Sequence, residues 1–186
     1  MKKLFFAALV VASASAFADA KIGVVDLMVL IRNHPNYDAN KELLTSTDKD
    51  YKKKLEGIKS EGESLQEEGK KLAEQLRNPM LAAKAKSDME KQLMDIQQKL
   101  MGIEQRYRNE AMHCRQDLQD LEGRLLKTTT DDLRKRIAKF AEEKGYDFVF
   151  DMTATPFAKA DYDVTDEMLS AMNVDPKAAK GRDEGK

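Results

Sequence analysis

Two short apolar segments lie at opposite ends of a long stretch in which apolar residues recur at helical spacing. The first is KIGVVD, Lys21–Asp26, and the second is DFVFD, Asp147–Asp151. Between them, apolar residues alternate in steps of four and three positions, which predicts helices with one apolar stripe. The pattern predicts a mainly α-helical chain with a small β component built from its two ends.

The helical stretch contains two heptad seams separated by a break. Arg77-Asn78-Pro79 ends the first helix, because proline cannot continue it. The first seam comprises Tyr51, Leu55, Ile58, Gly62, Leu65, Gly69, Leu72 and Leu76, and the second begins with Met89, Leu93, Ile96, Leu100, Ile103 and Tyr107. Two seams joined by a turn near residues 77–80 predict a long antiparallel coiled-coil hairpin over residues 36–144. Each limb would be roughly 60 Å long at 1.5 Å per residue.

Both seams contain irregularities. Gly62 and Gly69 stand where leucine is expected, and each costs roughly 1 kcal/mol of helix propensity relative to alanine. Either the partner helix carries extra bulk opposite them, or they make the arm compliant enough to bend. In the second seam, eleven residues separate Ile103 from Cys114, a stutter that locally unwinds a supercoil.

The segments around the hairpin show helix start and stop signals. Asp26 can cap a short helix that ends at Asn33-His34-Pro35, and Gly145 is placed to end the long return helix. Pro156 and Phe157 can open a third short strand that would form a hairpin with DFVFD. Thr165 can cap a last helix, whose apolar face would comprise Met168, Leu169 and Met172.

The hairpin returns the chain to its starting point, so the two apolar segments are expected to meet in a small sheet. Such a sheet is marginal alone and has open edges. Because both of its faces are apolar, we expect several chains to join through it, with residues 19–35 and 145–172 forming a β body. The residues expected to join the subunits are Ile22, Val24, Val25, Phe148, Val149 and Phe150.

The two termini differ from the rest of the chain. Residues 1–18 have two lysines, a short apolar run and small residues, which is typical of a cleavable secretory signal peptide. Cleavage is expected after Ala18, although Ala20 would also serve, and the apolar run is too short to span a bilayer. The polar tail, residues 173–186, is expected to be disordered.

Composition and charge exclude several classes of function. Charged residues make up 35% of the chain, aromatic residues 6%, and the formal net charge is −1, or −3 without the leader. Cys114 is the one cysteine, so an intrachain disulfide is excluded. His113 precedes it on a helix and points to another face, so the residues indicate no nucleophile, metal or cofactor site, and no enzyme. The sequence has no basic stripe with interleaved aromatic residues, so it does not indicate nucleic-acid binding.

Taken together, these segments resemble the Skp/OmpH family of periplasmic chaperones. The resemblance rests on the leader, on KIGVVD with its short helix, on the hairpin, and on the closing block YDFVFDMTATPFAKADYDVTDEML. Within that block, VTDEML, residues 164–169, is similar to the "ITxxVL"-type helix of the family. The resemblance covers the mature chain except the tail.

The resemblance implies a homotrimer in which three chains share a short-stranded β-barrel that carries three helical hairpin arms. It also implies an ATP-independent holdase, a chaperone that keeps unfolded outer-membrane β-barrel proteins (its clients) soluble in the periplasm. The best-known members are strongly basic, whereas this chain has a pI near 6.2. That departure argues against contact with lipopolysaccharide or a membrane surface.

The candidate client contacts lie near the turn of the hairpin, where exposed methionine could adapt to varied partners. They are Arg77, Met80, Leu81, Lys84 and Met94. A different class of function is compatible with the same pattern, a structural coiled-coil spacer or scaffold of the cell envelope. A spacer should have a well-filled seam, and a chaperone should have defects such as the two seam glycines.

Overall fold

The computed structural model describes residues 20–179, so the predicted leader and the end of the predicted tail lie outside the described residues. Helices hold 76% of the described residues. The elements are β1 (Ile22–Val25), α1 (Leu27–Arg32), α2 (Tyr37–Leu76), α3 (Ala83–Lys144), β2 (Phe148–Asp151) and α4 (Thr165–Ala171). No helix in this part of the chain is long and apolar enough to cross a membrane.

The chain divides into two compact units. One, the sheet unit, combines the described residues up to Leu30 with those from Lys135 onward, and the other, the hairpin unit, is Ile31–Arg134. The mainly helical fold with a small β component is confirmed.

The sheet unit is built on β1 and β2, which pair as the sequence predicts. The strands are parallel, with Ile22 opposite Phe148 and Val24 opposite Phe150. Parallel strands need a long crossover connection, and α1, α2 and α3 supply it here. Within the described residues β2 has no neighbour on its outer edge, so its backbone is open there.

The end of α3 is held against the start of β1. Gly145 adopts φ +69°, and its N–H donates to Glu142 O at 3.3 Å, as expected for a left-handed glycine cap. Lys21 Nζ donates to the last helical carbonyl, Lys144 O, at 2.7 Å and lies 4.1 Å from the Tyr146 ring centroid. These contacts fix the position of the chain where α3 ends, so that β2 begins beside β1 in the observed register.

The segment after β2 corrects two expectations. The predicted third strand at Pro156 and Phe157 is wrong, because this stretch runs between two 3₁₀ turns, Met152–Ala154 and Ala160–Tyr162. The chain returns instead to the other edge of β1, where Val164 N–H donates to Val24 O at 2.9 Å.

Thr165 is also not the cap of α4, since Val164 occupies that position. Its hydroxyl donates to Asp163 at 2.5 Å and accepts the Asp26 N–H at 2.9 Å, which links α4 to the end of β1. The predicted apolar face of α4 is confirmed, because Met168, Leu169 and Met172 are buried.

In the hairpin unit, α2 and α3 pack as the heptad pattern predicts. The break between the two helices falls between Leu76 and Ala83. In the contacts between the helices, residues later in α2 meet residues earlier in α3. They join Asn40 to Thr129, Tyr51 to Asp117, Lys54 to Glu110, Gly62 to Ile103 and Gly69 to Ile96. The helices are therefore antiparallel.

Glycine in the first seam is matched by bulk in the second. A Cβ at Gly62 would lie 3.4 Å from Ile103 Cγ2, and one at Gly69 would lie 3.3 Å from Ile96 Cγ2. The structure therefore favours local filling by the partner helix as the explanation of these glycines.

The start of the hairpin is held by His34. Its Nδ1 accepts the Asn36 N–H at 3.1 Å, so its other nitrogen, Nε2, carries the proton and donates to Asp132 at 2.9 Å. The predicted cap of α1 also forms, since Asp26 Oδ1 accepts the Val29 N–H at 3.0 Å.

Candidate functional site

One face of the sheet is only partly covered, since Val24 on this face is buried while its three apolar neighbours are exposed. Ile22, Phe148 and Phe150 lie on the same face of the paired strands and are 37%, 54% and 48% exposed. The two phenylalanine rings stack with centroids 5.9 Å apart and an interplanar angle of 13°. Together Ile22, Phe148 and Phe150 form an exposed apolar surface, which we call the open sheet face.

The remaining residues expected to join subunits are placed differently. Val24 and Val25 are buried within the chain itself, and Val149 is half-buried on the opposite face of the sheet. An interface between chains would therefore draw its contact area from Ile22, Phe148 and Phe150. Burying an aromatic side chain is worth about 1.5–3 kcal/mol, so this face is a strong candidate for covering by another chain.

The hairpin turn presents a second apolar side chain to solvent. Asn78 Oδ1 accepts the Met80 N–H at 3.0 Å, which closes a tight turn around Pro79 and leaves Met80 88% exposed. Leu81 is half-buried beside it, while Arg77 and Lys84 are exposed. The structure thus brings four of the five candidate client contacts together at the turn.

The fifth candidate, Met94, lies further along α3 and is also exposed. Sequence reasoning did not single out Met101 and Met112, which are exposed on the same helix. The signal that could have found them is their spacing. Seven and eighteen residues after Met94 are whole numbers of helical turns, to within about 20°.

Ion pairs across the seam fasten the middle of the hairpin. Lys54 Nζ lies 2.6 Å from Glu110 Oε1, and Arg106 pairs with Glu61. The hydrogen bond to Lys54 lowers the pKa of Glu110 below its ordinary value of 4.5, and the same bond raises the pKa of Lys54. These charges stabilise the pairing of the helices and are already engaged within the chain.

Cys114 and His113 are the side chains of the described residues that were considered for reactive chemistry. Burial raises the pKa of the Cys114 thiol, and His113 beside it is exposed on another side of α3. No group of three or more histidine, cysteine, aspartate or glutamate residues among them could hold a metal ion. The surfaces that stand out in the described residues are apolar, at the open sheet face and at the hairpin turn.

Comparison with known proteins agrees with this description. A family model described as "Outer membrane protein (OmpH-like)" matches residues 21–172, which span β1 through α4. The comparison with curated proteins gives no match.

Proposed function

Because this chain belongs to the OmpH-like family, a family of periplasmic chaperones for outer membrane proteins, we propose that it is an ATP-independent holdase. In this proposal it binds unfolded outer-membrane β-barrel proteins and keeps them soluble until they insert into the membrane. The observation that carries the proposal is the exposure of Met80 and Met94 on a hairpin whose surface is otherwise mostly charged.

The exposed methionines suit a chaperone of this kind for a physical reason. A thioether side chain is flexible and polarizable, so it can contact many different apolar groups without a fixed shape. Each contact is weak, and retention comes from several contacts made at once by linked sites. Release then needs no nucleotide, because a client that folds in its membrane buries the groups that these contacts held.

In this proposal, assembly of several chains links their client-binding sites. We propose that three copies join through the open sheet face, Ile22, Phe148 and Phe150, and form a shared β-barrel with the hairpins available for clients. The open outer edge of β2 and the two stacked rings support this proposal, because a two-stranded sheet with such an edge is marginal alone. In this proposal the chain is exported and its leader removed.

Suppression of client aggregation tests the proposal. A urea-unfolded outer-membrane β-barrel protein is diluted into buffer without ATP, with or without the mature chain, and light scattering is followed. We expect scattering to fall to its minimum near one assembled oligomer per client. Unchanged scattering from a protein shown to be folded and oligomeric would exclude general holdase activity.

A second candidate function is a structural coiled-coil spacer of the cell envelope. The observation that favours it is the filling of the seam, since Ile103 and Ile96 lie against the two seam glycines, Gly62 and Gly69. A spacer predicts no suppression of scattering and a single defined docking partner, so the same assay separates the two functions.

A further inference from the structure

We propose that one face of α3 is a track that holds extended, uncharged segments of unfolded polypeptide. The track consists of Met94, Met101, Met112 and Leu126, all in the hairpin unit and between 51% and 69% exposed. This inference rests on the proposed holdase function and assigns the residues and the class of segment that it binds.

The four side chains share one line along the helix. At 100° per residue, Met101 and Leu126 lie about 20° and 40° from Met94, and Met112 lies directly in line with it. In the second seam each of them follows a seam residue, Leu93, Leu100, Ala111 and Leu125 in turn. The track is about 48 Å long, which matches an extended segment of about 15 residues.

The composition of the track differs from the surface around it. Between Met94 and Leu126, the residues within about 40° of this line are glutamine, glycine and Arg108, with no aspartate or glutamate. The glutamines are Gln98, Gln105, Gln116 and Gln119, and all are exposed. Arg108 pairs with Glu104 at 3.4 Å, so the track is close to neutral in a chain of which 35% is charged.

These groups fit an extended chain with free backbone groups. Methionine and leucine offer apolar contact, and each glutamine amide can both donate to and accept from an exposed peptide group. A segment that carries carboxylates or lysines would lose hydration on this surface without gaining an opposite charge beyond Arg108. The track therefore selects apolar and uncharged segments.

A helix from a second copy of the chain fits less well. Coiled-coil pairing needs apolar residues every three or four positions. The apolar residues of the track are separated by seven, eleven and fourteen positions, so they cannot form a knobs-into-holes seam. An extended segment needs no such repeat.

Site-specific photocrosslinking tests the position of the track. A benzophenone amino acid is placed at Met101 or Met112, and as matched controls at the next residues, Gly102 and His113, which point about 100° away. A urea-unfolded β-barrel membrane protein is then added. We expect the crosslink yield at the track positions to exceed that at the control positions about five-fold or more, because an apolar contact buries the side chains that touch the bound segment. Equal yields at all four positions, or crosslinks between copies of the chain without the added protein, would overturn the inference.

A capture measurement tests the chemistry of the track. Met94, Met101 and Met112 are changed together to glutamine, which has about the same helix propensity, and Leu43→Gln on α2 removes an exposed apolar side chain elsewhere. We expect the triple variant to bind the unfolded protein about ten-fold more weakly, since several apolar contacts are lost, and Leu43→Gln to bind within about two-fold of the original chain.

Two further comparisons, of binding at low and high salt and of the unaltered chain with the triple variant, distinguish a wrong track from a wrong function. Because the track is neutral, the loss in the triple variant should be the same at low and high salt. If the unaltered chain captures the protein and the triple variant does so equally well, the track is wrong and the holdase proposal stands. If the unaltered chain captures nothing, the proposed function itself fails.

Discussion

At the residue scale, the glycines of α2 have different surroundings although they share one helix. A Cβ at Gly57 would meet no atom within 4 Å beyond its chain neighbours and the adjacent backbone of its own helix, whereas one at Gly69 would lie 3.3 Å from Ile96 Cγ2. The first glycine only weakens the helix, and the second also gives space to a side chain of α3. Adding a side chain should therefore strengthen the helix at Gly57, whereas a large one at Gly69 should crowd Ile96.

We predict that Gly57→Ala raises the free energy of unfolding by about 0.8–1 kcal/mol through helix propensity. Gly69→Leu should lower it by about 1–2 kcal/mol, because overpacking against Ile96 exceeds the propensity gain. Urea unfolding followed by circular dichroism, at one protein concentration, measures both. Stabilisation by Gly69→Leu would show that the seam has room at this position.

The two histidines offer a second matched pair. His34 is buried and engages Asn36 and Asp132, whereas His113 is exposed on α3. We predict that His34→Ala lowers the free energy of unfolding by about 1–3 kcal/mol, because the buried imidazole and both of its hydrogen bonds are lost. His113→Ala should change it by less than about 0.5 kcal/mol. Equal effects in the same urea experiment would contradict a role for His34 in fastening the start of the hairpin.

At the element scale, charges join α2 to α3 along the hairpin, and one pair responds to pH in a definite direction. The hydrogen bond from Lys54 holds the pKa of Glu110 below 4.5, so the ionised carboxylate is favoured in the folded chain. Its contribution to stability is present above pH 4.5 and is lost as the pH falls through the lowered folded pKa.

Glu110→Gln should therefore destabilise the hairpin at pH 7 and do so less at pH 3. The measurement is the urea midpoint of both proteins at the two pH values. Glu63→Gln is the control, because Glu63 pairs with Lys59 within α2, at 3.4 Å, and joins no second helix. A difference that persists unchanged at pH 3 would mean that the side chain acts through packing and not through its charge.

At the scale of the whole molecule, the open sheet face is the proposed site of assembly between copies of the chain. In the single chain, Ile22, Phe148 and Phe150 expose an apolar surface to water. Joining copies through this surface would bury it and would complete the open edge of β2. In the proposed function, client capture by several linked sites depends on that assembly, so the two proposals can be tested in sequence.

Phe148→Asp should disperse the oligomer while leaving the helical content almost unchanged. Losing one buried phenylalanine contact corresponds to about 10- to 100-fold weaker association per interface, and a buried carboxylate adds to the loss. Sedimentation velocity and circular dichroism provide the two readouts. Leu43→Asp, an exposed apolar residue of the hairpin unit, should sediment like the unaltered chain. A Phe148→Asp variant that does so too would contradict assembly through this face.

The sequence by itself determined the features that depend on local pattern. Heptad spacing predicted α2 and α3, Pro79 the turn between them, Gly145 the end of α3, and Asp26 the start of α1. These follow from short-range rules, since helix periodicity and capping involve residues within a few positions of one another. The meeting of the two strands followed from the antiparallel hairpin.

Only the tertiary structure decided how the strands pair and which apolar residues stay exposed. A strand that is apolar on both faces carries no alternation, so its sequence cannot say which of its side chains become covered. The parallel register and the return of the chain to Val24 bury Val24 and Val25 and leave Phe148 and Phe150 open. The expected strand at Phe157 is absent because the chain leaves β2 through two 3₁₀ turns and returns to the other edge of β1 at Val24. Burial is set by packing between distant segments, and local spacing does not encode it.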